Sequence, residues 1–161
     1  MEIIPLLHVL LLVYIVFYGF ISQKTSFFDF LYLFIVYGTP LSWTFYDGEC
    51  PLTYYHHKAI DPSYYTGRDT KTSDDLTSIF GKEIKTFINK HYTIISLIVL
   101  IIYSISIYVV ARRQNFPVLI IFMLQFSTGS YWLTIINNMN FHSFYRILFI
   151  GWLLYIFSMW K

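Results

Sequence analysis

Five long apolar runs are spaced along the 161-residue chain, and one polar stretch divides them into a group of two and a group of three. The first run, IIPLLHVLLLVYIVFYGFIS, lies within Met1 to Ser22. About 20 apolar residues, each rising 1.5 Å along a helix, cross a hydrocarbon core of roughly 30 Å. Pro5 falls in the first turn, where its missing N–H costs little. The segment lacks the basic start and small-residue cleavage site of a signal peptide, so it reads as a retained helix. A polar link, SQKTS, leads to the second run, FFDFLYLFIVYGTPLSWTFY, residues 27–46. Gly38 and Pro40 are expected to bend or loosen this helix, because proline removes a backbone bond and crowds the preceding turn. Trp43 and Tyr46 fall where an interfacial aromatic belt belongs.

The second group follows the polar stretch. YTIISLIVLIIYSISIYVVA, residues 92–111, ends at Arg112-Arg113, and PVLIIFMLQFSTGSYWLTII, residues 117–136, opens on a first-turn proline. After the polar interval NNMNFHSFYR comes a run of about 17 residues from Phe144, the short end of a spanning length. Backbone groups in lipid must be hydrogen-bonded within their own segment, so runs of this kind are helices. The pattern predicts an all-α membrane protein with about five transmembrane helices. Residues 1–46 carry the first two, 47–91 form a long polar loop, and 92–161 carry the last three.

Within 47–91, Leu76, Ile79, Phe80, Ile84, Phe87 and Ile88 recur at helical spacing, with Asp75, Lys82, Lys85 and Asn89 largely on the other side. An amphipathic helix is expected over about residues 74–90, capped by Ser73 and with Asp74 and Asp75 in its first turn. Such a helix lies at a membrane surface or packs on a protein neighbour. Upstream, Asp61-Pro62-Ser63 is a turn signal, and Tyr64-Tyr65-Thr66-Gly67 reads as ordered loop.

Composition agrees with the pattern. The chain is 57% hydrophobic, 22% aromatic and only 12% charged, with a mean hydropathy of +0.56. Soluble domains carry about 25% charged residues. A net charge of +2 with no basic run argues against a nucleic-acid partner. The loop holds six of the eleven basic residues and seven of the nine acidic ones. Counting Arg146, the side of the membrane carrying the long loop has seven Lys or Arg, against four opposite, a small excess that leans the loop to the cytosol. Cys50 stands alone, so no internal disulfide forms, and no Asn-x-Ser/Thr sequon occurs.

Candidate chemistry concentrates in LSWTFYDGECPLTYYHHK, residues 41–58. Asp47, Glu49, Cys50, His56 and His57 are all metal-capable types, and Cys50 with His56 or His57 would make a nucleophile and base. Structural zinc sites need paired ligands, however, and a polar, aromatic cluster where a chain leaves a membrane is ordinary. His8, inside the first span, is read as bonding a neighbouring helix or reaching the interface, and Asp29 as a helix N-terminal acid. Gln125, Ser127, Thr128, Gly129 and Ser130 form a small-polar patch suited to close helix contacts. The other spans are almost uncharged, which argues against transport. No G-x-x-x-x-G-K, G-x-S-x-G or H-E-x-x-H occurs, and five scattered histidines make no desaturase-type boxes. No enzyme activity, metal, cofactor or small-molecule substrate is therefore expected.

The span ending in Trp43, the run Gly48-Glu49-Cys50-Pro51-Leu52-Thr53-Tyr54, Lys58, and Asp61-Pro62-x-Tyr64-x-x-Gly67 together cover about 25 residues. This pattern resembles small multi-span membrane proteins of large double-stranded DNA viruses of algae and other protists; the doubled histidine departs from it. The resemblance implies a component of the virion's internal membrane, or a minor capsid protein linking that membrane to the shell, with lipid and other virion or capsid proteins as partners. The contact residues expected in the loop are Tyr64, Tyr65, Arg68, Lys71 and Asp75. Two alternatives share the composition: an accessory membrane subunit of a protist respiratory complex, and a small membrane enzyme using Cys50 with His56 or His57.

Overall fold

The computed structural model describes residues 3–23, 26–68, 79, 81–137 and 139–160. The described residues form seven helices and no strand: α1 Ile3–Ile21, α2 Ser26–Trp43, α3 Pro51–Ile60, α4 Lys82–Lys90, α5 Tyr92–Arg113, α6 Val118–Ile136 and α7 His142–Met159. Four of them, α1, α5, α6 and α7, are long and apolar enough to cross a membrane. The chain is an all-α, multi-pass membrane protein. The second apolar run is shorter as a helix than its hydrophobicity suggested. It stops at Trp43, and turns carry the chain from Thr44 to Gly48.

That shorter helix is the centre of the bundle. Tyr32, Leu33, Val36 and Tyr37 of α2 are all fully buried, and α2 packs against each of the other four long helices. The outer helices turn large apolar side chains outward instead, among them Ile3 of α1, Ile94 of α5, Phe126 of α6 and Ile147 of α7. A soluble protein does not present apolar surface on this scale; lipid solvates it. In lipid, helices associate through close packing and interhelical hydrogen bonds.

The most extensive helix contact, α1 on α5, uses both. A Cβ on Gly19 would run into the backbone and side chain of Ser106. The Gly19 N–H donates to Ser106 Oγ at 2.9 Å, and the Tyr32 hydroxyl bonds Ser106 Oγ and the Ile15 carbonyl, each at 2.8 Å. Part of the small-polar patch in α6 bonds across helices, Gln125 Nε2 donating to the Ser104 carbonyl at 2.6 Å and Trp152 Nε1 to Ser127 Oγ at 3.1 Å, whereas Gly129 faces open space and makes no close approach. Thr128 and Ser130 donate to carbonyls of their own helix, and the Thr128 side chain also bonds Tyr103 of α5.

At one end of the bundle Arg113 donates to the Ser22 and Gly19 carbonyls, giving the last turn of α1 the cation its free carbonyls favour. Asp29, fully buried in the first turn of α2, accepts from Gln114 Nε2 at 2.8 Å and from the Tyr18 hydroxyl at 3.1 Å. An acid read as a simple helix-terminal charge is thus a tie among three helix ends. At the opposite end lies the segment that follows α2.

Two elements of the loop differ from the sequence reading. α3 was not foreseen, because its ten residues carry aromatics and histidines in place of a clean apolar stripe. Pro51 at its first position and basic residues in its last turn were the available signals. The amphipathic helix is described from Lys82, and Gly81, at φ +85°, is not helical. Ser73, Asp74, Asp75 and the expected start of that helix lie outside the described residues.

Candidate functional site

After α2 the backbone reverses through Asp47 and Gly48, at φ +52° and +89°. Gly48 N–H bonds the Trp43 carbonyl at 2.9 Å, and Glu49 N–H bonds that of Tyr46 at 2.9 Å. A left-handed pair closing a helix end satisfies carbonyls that would otherwise be orphaned. The turn delivers Glu49 into the protein, where it is 2% exposed.

Glu49 then organises the segment that returns after α3. The Tyr64 hydroxyl donates to Glu49 Oε1 at 2.8 Å, and the Gly67 N–H to Oε2 at 3.2 Å. Lys58 Nζ donates to the Tyr64 carbonyl at 2.7 Å, and the His57 ring stacks on Tyr64 at 4.8 Å. Asp61 accepts from the N–H and hydroxyl of Ser63, closing the turn that Asp-Pro-Ser announced. Those two bonds lead the causes that bring Asp61 below the usual carboxylate value, with a smaller part from Arg68. Gly67, at φ +74°, backs onto Asp47, and a Cβ there would meet that of Asp47 at 2.9 Å. The Thr66 hydroxyl donates to Asp47 Oδ2 at 2.5 Å. Trp43, Glu49, Lys58, Asp61, Tyr64 and Gly67, which carried the sequence pattern, thus close one small folded platform over residues 43–68.

The platform is fixed to the bundle on two sides. Thr53 of α3 meets His8 of α1, Oγ1 to Nδ1 at 3.3 Å, so His8 serves a helix at the membrane end rather than another span. Across the bundle, Arg146 of α7 donates to the Thr44 carbonyl at 2.5 Å and stacks over Phe45 at 4.1 Å. Between the platform and the α6–α7 turn lies a cleft of about 300 Å³ lined by Asp47, Thr66, Gly67, Thr134, Met139 and His142. His142, which the sequence did not single out, bonds the Tyr131 hydroxyl through Nδ1 at 3.0 Å.

Of the expected contact residues, Tyr65 is 64% exposed, and Arg68 is exposed beside it. Arg68 lies 5.7 Å over the Tyr64 ring and 5.9 Å over that of Tyr65, and pairs with Asp61 at 3.3 Å. Tyr64 is 4% exposed, and its hydroxyl is engaged by Glu49, so it holds the platform from within. Lys71 and Asp75 lie outside the described residues.

Cys50 sits at the start of α3, where His8 of α1 bonds its thiol, a partner the enzyme alternative did not name. Burial pushes its thiol up, but His8 and the N–H groups of Leu52 and Thr53 outweigh this and bring it below the ordinary thiol value. Neither N–H closes a side-chain cap bond of good geometry. Among the described residues no three of His, Cys, Asp and Glu come together as a metal site.

No family model matches the chain, and neither a curated protein nor a solved structure does.

Proposed function

We propose that this protein is a non-enzymatic membrane component of a larger assembly, a virion inner-membrane or minor capsid protein that joins membrane to shell through the platform. The observation that carries the reading is the internal hydrogen bonding of residues 43–68. A hydrophilic segment whose buried carboxylate, lysine and two turns are all engaged internally is built to present a shape, and Tyr65 and Arg68 are among its outward groups. Tyrosine and arginine are the side chains most enriched in protein contacts. The viral setting is supported by the resemblance of the same residues, and the bilayer supplies the anchor.

The test is photo-crosslinking from position 65 in the native particle. A defined adduct with a shell protein is expected, lost in Arg68→Glu while α1–α2 packing stays intact. Adducts with lipid alone would overturn the reading.

One observation favours a second reading, a small membrane enzyme with Cys50 as nucleophile: the His8 contact that lowers the thiol. Cys50→Ser separates the two. Under the assembly reading the crosslink survives this change; under the enzyme reading a reaction is lost from a folded protein.

A further inference from the structure

α4 carries a stretch of surface that the bundle does not cover. Ile84 is 41% and Phe87 57% exposed, with Ile88 half-buried beside them. At 100° per residue these three fall within one third of the helix circumference, and Lys82, Glu83, Thr86 and Lys90 occupy the remainder, all exposed. A free apolar face can be covered by lipid, by a second copy or by another protein. Two observations select lipid.

The first is continuity with a face that is already in lipid. α5 exposes Ile94, Ile98, Ile101 and Ile105, the outward stripe of a membrane-crossing helix. Spacings of three and four carry that stripe back through His91 to Phe87 and Ile84 with no charged residue in it. The Phe87 and His91 rings meet at 4.9 Å, across the junction. α5 has 22 residues, about 33 Å of helix, which already fills the hydrocarbon layer. α4 therefore begins where headgroups begin. His91, at φ −111° and ψ 19°, is the single residue that departs from helix between the two, and it is where the direction can change.

The second is charge. The segment 82–90 contains three lysines and one glutamate. Lysines beside an apolar face attract anionic phosphates, whereas in a contact between two copies they would face their own kind.

We propose that α4 lies along the membrane surface, Ile84, Phe87 and Ile88 in the boundary between headgroups and acyl chains and Lys82 and Lys90 toward anionic lipid phosphates. The helix so placed fixes the level and direction at which the polar loop leaves the bilayer. The inference is independent of what docks on the platform, since position 87 can report lipid whether or not position 65 finds a protein.

The test places a nitroxide at Phe87→Cys or Thr86→Cys, each in a Cys50→Ser background, in full-length protein reconstituted into phosphatidylcholine vesicles with and without phosphatidylglycerol. Oxygen is expected to relax the label at 87 several-fold more than a water-soluble nickel chelate does, with the opposite order at 86. Phosphatidylglycerol should deepen the label at 87. Equal nickel access at both positions overturns the proposal, as does exclusion of both reagents from 87, which would mean protein cover. A benzophenone at position 87 in the chain with Cys50 retained provides a second readout: a lipid adduct supports the proposal, and an adduct with protein overturns it.

Discussion

The Tyr64 hydroxyl donates to Glu49 Oε1 at 2.8 Å, tying the first residues after α2 to the turn that follows α3. Both side chains are almost inaccessible to water, and the carboxylate receives a second bond from the Gly67 N–H. A buried acceptor that loses a donor pays its desolvation without return, about 1–3 kcal/mol. Tyr64→Phe should therefore loosen the platform while leaving the bundle intact. Amide exchange is expected to rise across residues 61–68 and to stay unchanged in α2 and α5. Equal protection in both proteins would mean the hydroxyl is not what holds the segment.

Gly19 should tolerate no side chain. Two of the three nearest atoms a Cβ would meet, the carbonyl oxygen and Cα of Ser106, are backbone and cannot swing away as a flexible side chain would. Overpacking a tight contact costs typically about 1–3 kcal/mol. Gly19→Ala should lower the thermal midpoint in detergent, and Gly151→Ala, in open space on α7, should not. A matching loss at both positions would point to general helix sensitivity and not to the α1–α5 contact.

The thiol of Cys50 should react as a thiolate at lower pH than a free thiol does. Its folded-state pKa lies below the ordinary value, so the stabilisation it contributes is complete above that ordinary value and is lost as pH falls through the folded one. The pH midpoint of alkylation is expected below that of a small thiol and should move up in His8→Ala. A midpoint unmoved by that change would remove His8 as the cause.

The link between Asp29 and Gln114 offers a check at the far end of the bundle. Asp29 is fully buried and accepts from Gln114 Nε2 at 2.8 Å and from the Tyr18 hydroxyl at 3.1 Å. Gln114→Leu should destabilise by about 1–3 kcal/mol, read as a lower thermal midpoint, because a buried acid group is left short of a donor. Asp29→Asn should cost less, since the amide oxygen at position 29 can still accept from Gln114 Nε2 while its NH2 donates to the Tyr18 hydroxyl oxygen. The reverse order would show that the Gln114 hydrogen bond is not what holds this end of the bundle.

The sequence by itself determined the solvent. Runs of apolar residues at spanning length allow only helices in lipid, and hydropathy marked all five long helices, four of them long enough to span and the second shorter, as it marked the apolar face of Ile84, Phe87 and Ile88. Tertiary structure alone decided which groups meet. Hydropathy is indifferent to neighbours: it rated α2 as one span among five, although only packing makes its Tyr32 and Tyr37 the centre of the bundle. It likewise offered His56 and His57 as partners for Cys50 because they are near in sequence, whereas helix packing brings His8 there from 42 positions away. Residues such as Glu49, Lys58, Asp61, Tyr64 and Gly67 formed a recognisable string without a visible purpose. Their purpose is a set of hydrogen bonds between positions 6 to 18 residues apart, which no periodicity encodes and only the closed backbone of the platform creates.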